Sequence, residues 1–133
     1  MAFDPLVNRV IQIVKNSGTT IPVVKGARAE DSPLPVISCH MLNADNFSVS
    51  LTDVFRVAIE VKYEEHYADN TTANINAQFS SILDRFMIDD LVAELKIGGQ
   101  NVFNAEIQNI ATDTQGDIIV NQFLLEIITE RDP

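Results

Sequence analysis

Apolar and polar positions alternate along this chain with a helical period in some stretches and a strand period in others. After Asp4-Pro5, Leu6, Val7, Val10, Ile11, Ile13 and Val14 lie opposite Asn8, Arg9, Gln12, Lys15 and Asn16. This spacing predicts an N-terminal helix over residues 4–17, with Asp4 capping free N–H groups, Pro5 at the first turn and Ser17-Gly18 at the end. Its apolar face is wider than a coiled-coil seam, so the helix is either deeply buried in its own domain or covered by a second partner.

Residues 54–64 switch to period two. Val57, Ile59, Val61 and Tyr63 alternate with Arg56, Ala58, Glu60 and Lys62, which predicts a central strand with one wet face. Glu64 to Asn70 (EEHYADN) reads as a polar connection. The helical period returns over residues 71–87, where Ile75, Phe79, Ile82, Leu83 and Phe86 share one face behind a cap at Asn70 or Thr71. Asp89-Asp90 caps a shorter helical piece through Leu95, stopped by Gly98-Gly99.

Residues 102–130 predict a C-terminal hairpin around the turn formers TDTQGD. In its first arm Phe103, Ala105 and Ile107 oppose Glu106 and Gln108. In its second, Ile119, Phe123, Leu125 and Ile127 occupy one face, and Ile118, Val120, Leu124 and Ile128 the other. Apolar residues on both faces mark a strand covered twice, or one whose second face meets another chain. Earlier in the chain, Ile21 to Ala29 reads as an extended segment, and Pro22 confines any strand to begin there or lie at an edge. Ala29 to Pro35 is loop-like. Val36 to Leu42 predicts a strand with Ile37, Cys39 and Met41 on one side, and Asn43 to Asn46 a turn. The order predicts one α+β domain over residues 1–133: a largely antiparallel sheet with helices packed on one face.

Composition narrows the function. A chain of 133 residues and 14.7 kDa folds to roughly 7,000 Å² of surface, enough for a core without staples. One cysteine, Cys39, excludes an internal disulfide framework and any four-cysteine zinc site. No apolar run approaches the roughly 20 residues that span a bilayer, and Asp4 and Arg9 interrupt the stretch a signal peptide would need. A cytosolic origin without membrane association is the expectation. The net charge of −10 is uneven, with eight acids against six bases in residues 1–66 and eleven against three in residues 67–133. Phosphate neutralisation needs clustered Lys and Arg, so tight nucleic-acid binding is not expected.

Candidate chemistry is sparse. His40 and His66 sit in no zinc pattern. Glu64, Glu65, His66 and Asp69 form the one cluster of ligand-type or acid–base side chains, and a solvated acidic connection accounts for it. Asp89-Asp90 is explained by capping, and Cys39 by small apolar filling of a strand. Gly98-Gly99 matches no phosphate loop, and there is no GxSxG elbow. Asn46-Phe47-Ser48 and Asn70-Thr71-Thr72 fit a glycosylation pattern, though nothing indicates secretion. No enzyme, cofactor or metal is expected.

The opening helix Pro5 to Asn16 and the Pro-containing stretch Ser32 to Leu42 lead into VAIEVKYEEHYADN (Val57 to Asn70). TTANINAQFSSILDRFM (Thr71 to Met87) and DIIVNQFLLEIITE (Asp117 to Glu130) follow. This layout resembles the tail-terminator and tail-completion (neck, head-tail joining) proteins of tailed bacteriophages. The resemblance implies a virion ring, commonly of six copies, that caps the tail tube and meets the head connector, assembled in the host cytoplasm. It carries no catalytic residues. A ring interface joins two different patches, for which Leu6, Val10 and Ile13 on the helix and Ile118, Val120, Leu124 and Ile128 on the last strand are the candidates. Asp113, Asp117, Glu126 and Glu130 are candidates for an acidic lumen through which DNA passes without specific binding. A small binding module and another tail or baseplate subunit are the alternatives.

Overall fold

The structure is a computed structural model that describes residues 3–28, 33–48, 51–68, 70–96 and 101–130. Helix α1 (Asp4–Lys15) starts behind Phe3, which takes the left-handed conformation at φ 67. Asp4 is therefore not the cap. It stands at the first helical position and its carboxylate lies 3.2 Å from Lys25 Nζ. The helix ends at Lys15, short of residue 17, and Gly18 supplies the positive φ that turns the chain away.

Among the described residues five strands form one sheet in the order β1-β2-β3-β5-β4. Strand β1 (Val23–Lys25) runs parallel to β2 (Val36–Ser48) at an edge, as Pro22 requires. All other pairs are antiparallel: β2 with β3 (Leu51–His66), β3 with β5 (Ile118–Glu130), and β5 with β4 (Val102–Gln115). The molecule is a single α+β domain.

Three expectations need correction. Asn43 to Asn46 is not a turn, because β2 continues through it to Ser48. A bulge between Met41 and Asn43 turns Leu42 outward, after which Ala44 faces the helices and Asn43 and Asp45 face away. The polar residues are thus the wet side of a strand. Glu64 to His66 is not a connection either, since β3 keeps pairing with β5 as far as His66↔Ile118. Phe103 does not share a face with Ala105 and Ile107, because a register shift between Val102 and Asn104 leaves its ring exposed.

Helix α2 (Thr72–Asp84) is capped by Thr71, whose hydroxyl accepts from the Asn74 N–H at 3.2 Å. It stops before residue 87, but Phe86, in the following turn, still reaches the core. Helix α3 (Leu91–Lys96) is one short piece. Phe123 of β5 lies between Phe79 and Phe86, with ring centroids 6.0 and 5.2 Å away. Ile75, Ile82 and Leu95 pack into the same cluster as Ile59, Tyr63 and Leu125 of the sheet. Arg9 ties α1 to α3, donating to the Glu94 carbonyl at 2.6 Å and to its carboxylate at 2.8 Å. Helices α1, α2 and α3 join this one core. The total surface, 7096 Å², is what the mass alone leads one to expect.

Candidate functional site

Alternation along β3 and β5 divides the sheet into a helix-covered face and an open face. Val57, Ile59, Val61 and Tyr63 pair with Ile127, Leu125, Phe123 and Asn121 on the covered side. Arg56, Glu60, Glu64 and His66 pair with Ile128, Leu124, Val120 and Ile118 on the other.

The seven candidate interface residues separate accordingly. Leu6, Val10 and Ile13 are 0 %, 0 % and 4 % exposed, enclosed in the domain's own core. They offer nothing to a neighbouring subunit, which corrects the expectation for the first helix: its wide face is matched by the sheet and α3. Ile118, Leu124 and Ile128 are half-buried on the open face. Val120 is buried there without belonging to the helix-side cluster.

The four candidate lumen acids do not converge. Asp113, Glu126 and Glu130 belong to the open face, but Asp117 sits in the hairpin turn, roughly 40 Å along β5 from Glu130. Asp117 lies 3.1 Å from His66 Nδ1, and Glu126 lies 3.4 Å from Arg56 Nε. Glu106 stands directly opposite Glu126 in the ladder, a like-charge pair.

The Glu64, Glu65, His66, Asp69 cluster is also taken apart by the strand. Glu64 points to the open face, where Arg28 Nε lies 3.1 Å from its carboxylate, and both side chains are largely buried. Glu65 points the other way, under α2, and accepts a hydrogen bond from the Tyr63 hydroxyl. Asp69 lies outside the described residues. Among the described residues no three His, Cys, Asp or Glu side chains come together as metal ligands. Cys39 is fully buried and burial pushes its thiol up to about 12. No described helix is long and apolar enough to cross a membrane.

What the open face does possess is an apolar groove of about 620 Å³ at the end of the sheet away from the hairpin turn. Phe47, Val54, Phe103 and Ile128 line it, with Arg56, Glu106 and Glu126 at its polar positions. Arg56 also lies over the Phe47 ring, 5.5 Å from the centroid. Phe47, Val54 and Phe103 were not among the sequence candidates. Irregular register in β2 and β4 exposes the two rings, and periodicity carries no signal for a bulge.

The fold is a small α+β domain with one sheet surface committed to the helix-side core and an apolar groove on the other. No family model and no curated protein matches the chain. Among solved structures it is similar to a chain from the virion of native gene transfer agent (GTA) particle, with a TM-score of 0.60. Sequence identity is 14%, and the alignment covers 93% of this chain and 91% of that one. At that identity the likeness is one of fold, and it runs through nearly the whole of both chains.

Proposed function

We propose that this chain is a structural subunit of a phage-like particle, a tail-terminator or neck ring protein that caps the tail tube and meets the head connector. The observation that carries the reading is the near end-to-end likeness of its fold to a virion chain. The sequence layout independently supports the same class. In this reading the protein works by contact, without turnover or cofactor, and resides in the virion. Ile118, Leu124 and Ile128, around the buried Val120, form one patch of a head-to-tail ring contact, probed by charge substitution at Leu124. Asp113, Asp117, Glu126 and Glu130 belong to the acidic half of the chain, whose charge repels the phosphates of DNA sliding past.

The apolar groove favours a second reading, a small binding module that acts as a monomer. Native mass measurement separates the two. The chain is measured alone and after mixing with the tail-tube protein of its own particle. A closed oligomer, six copies by the resemblance, is expected at least on the tube, and Leu124→Lys is expected to abolish it. A monomer in both arms overturns the ring.

A further inference from the structure

We infer that the stretch Phe103 to Gln108 of β4 is a docking edge for an extended segment of a different protein, a short apolar run flanked by basic residues. That segment adds to the sheet as a strand beyond β4. The inference is independent of ring closure, since it concerns the outer edge of one subunit and holds for a monomer as well as for a ring.

Strand β4 is last in the sheet, so its outer backbone groups face away from β5. Apart from the ladder with β5, no described residue bonds to the backbone of residues 103–108. Register shifts at Val102/Asn104 and Gln108/Ala111 bracket the stretch, and between them the ladder is regular. An added strand therefore has about five residues of straight edge to pair with.

Apolar side chains flank this stretch on both sides, beside polar ones. On the open face is the groove of Phe47, Val54, Phe103 and Ile128. On the helix face a second groove of about 480 Å³ is lined by Met87, Ile88, Leu91, Val92, Ala105 and Ile107. Asn104 and Glu106 border both. Of the eight large apolar side chains exposed among the described residues, four lie in these two grooves: Phe47, Phe103, Met87 and Ile88, at 44 %, 50 %, 61 % and 38 %. Three of these, Phe103, Met87 and Ile88, flank β4, whereas Phe47 stands on β2, across β3 and β5 from it. Successive side chains of a strand point to opposite faces, so consecutive apolar residues of an incoming strand pack in turn beside Phe103 on the open face and beside Ala105 and Ile107 on the helix face.

Charge selects the occupant. The ionisable side chains bordering the grooves are Arg56, Asp89, Glu106 and Glu126. Arg56 is engaged with Glu126 at 3.4 Å, which leaves the carboxylates of Glu106 and Asp89 in excess. Lysine or arginine beside the apolar run complements them. A second copy does the opposite, because pairing two β4 edges adds another Glu106 and Asp89 to a chain already at −10.

The test uses the full chain and a capped peptide, Lys-Val-Leu-Val-Ile-Lys, with amide hydrogen exchange followed residue by residue. The peptide is expected to slow exchange at residues 103–108 at least tenfold. It is expected to bind at least fivefold more tightly than its counterpart with glutamate in place of lysine. Phe103 and Glu106 are both exposed, so changing them leaves the fold intact. Phe103→Ser is expected to weaken binding at least tenfold, and Glu106→Lys to remove the preference for the lysine peptide. Equal binding by a peptide N-methylated along its backbone overturns the strand-addition geometry. No slowing at millimolar peptide overturns the proposal. So does concentration-dependent protection of the same residues without peptide, which identifies a second copy as the occupant.

Discussion

Cys39 and Tyr63 are acids that the fold holds in their neutral forms. Burial pushes the Cys39 thiol from 9.0 up to about 12. Burial first, then donation to Glu65 and the charge of that carboxylate, raises the Tyr63 hydroxyl above its usual 10.0. Because both are raised in the folded state, the unfolded chain loses these protons first. The stability Cys39 contributes is complete below about pH 9 and is lost as pH climbs from 9 to 12, and that of Tyr63 is lost from about pH 10 upward. The slope reaches about 1.4 kcal/mol per pH unit for each group ionised only in the unfolded chain. Urea unfolding between pH 7.5 and 10.5 is expected to show a plateau followed by this decline. A soluble disulfide reagent is expected to react with Cys39 only on unfolding. The Arg28–Glu64 pair makes a second prediction. Its side chains are 15% and 9% exposed, so Arg28→Met leaves a shielded carboxylate without its cation, a loss of about 3 kcal/mol in unfolding free energy.

Among the elements, α2 is held by its cap and by the ring of Phe123. Thr71→Ala is expected to lower unfolding free energy by about 1 kcal/mol. Phe123→Ala, which opens a void between Phe79 and Phe86, is expected to lower it by about 3–5 kcal/mol. These elements were readable because one physical demand set each pattern. Ile75, Phe79 and Ile82 face a single core, and Val57, Ile59, Val61 and Tyr63 do the same from the sheet. Both faces of β5 were legible for the same reason, since its alternation is unbroken from Ile118 to Ile128. Elsewhere two demands competed. Asn43 and Asp45 are turn formers that serve equally well on a wet strand face, and the bulge at Leu42 decides between these roles through backbone geometry. Glu64 and Glu65 looked solvated because nothing nearby in sequence announces Arg28, 36 residues away, as the ion-pair partner. The groove escaped notice because it is made by Phe47, Val54, Phe103 and Ile128, distant residues gathered by two irregular edges. The helix-side interface candidates failed differently. The breadth of the α1 face was legible, but whether the sheet was broad enough to cover it was not.

For the molecule as a whole, charge and shape set the behaviour. With a net charge of −10 and only three basic residues after residue 66, the chain is expected to give no change in anisotropy with a labelled DNA duplex at about 0.15 M salt. Its strands are long for so small a protein, with 16 residues in β3 and 13 in β5 against a usual five or six. Every residue from Asn109 to Asp117 is exposed, and Gly116 turns the ribbon with positive φ and open space around it. The hairpin end is therefore a natural grafting point. An epitope spliced between Gly116 and Asp117 should leave the melting temperature of the body nearly unchanged, giving microscopists a fiducial by which the orientation of the chain can be seen directly.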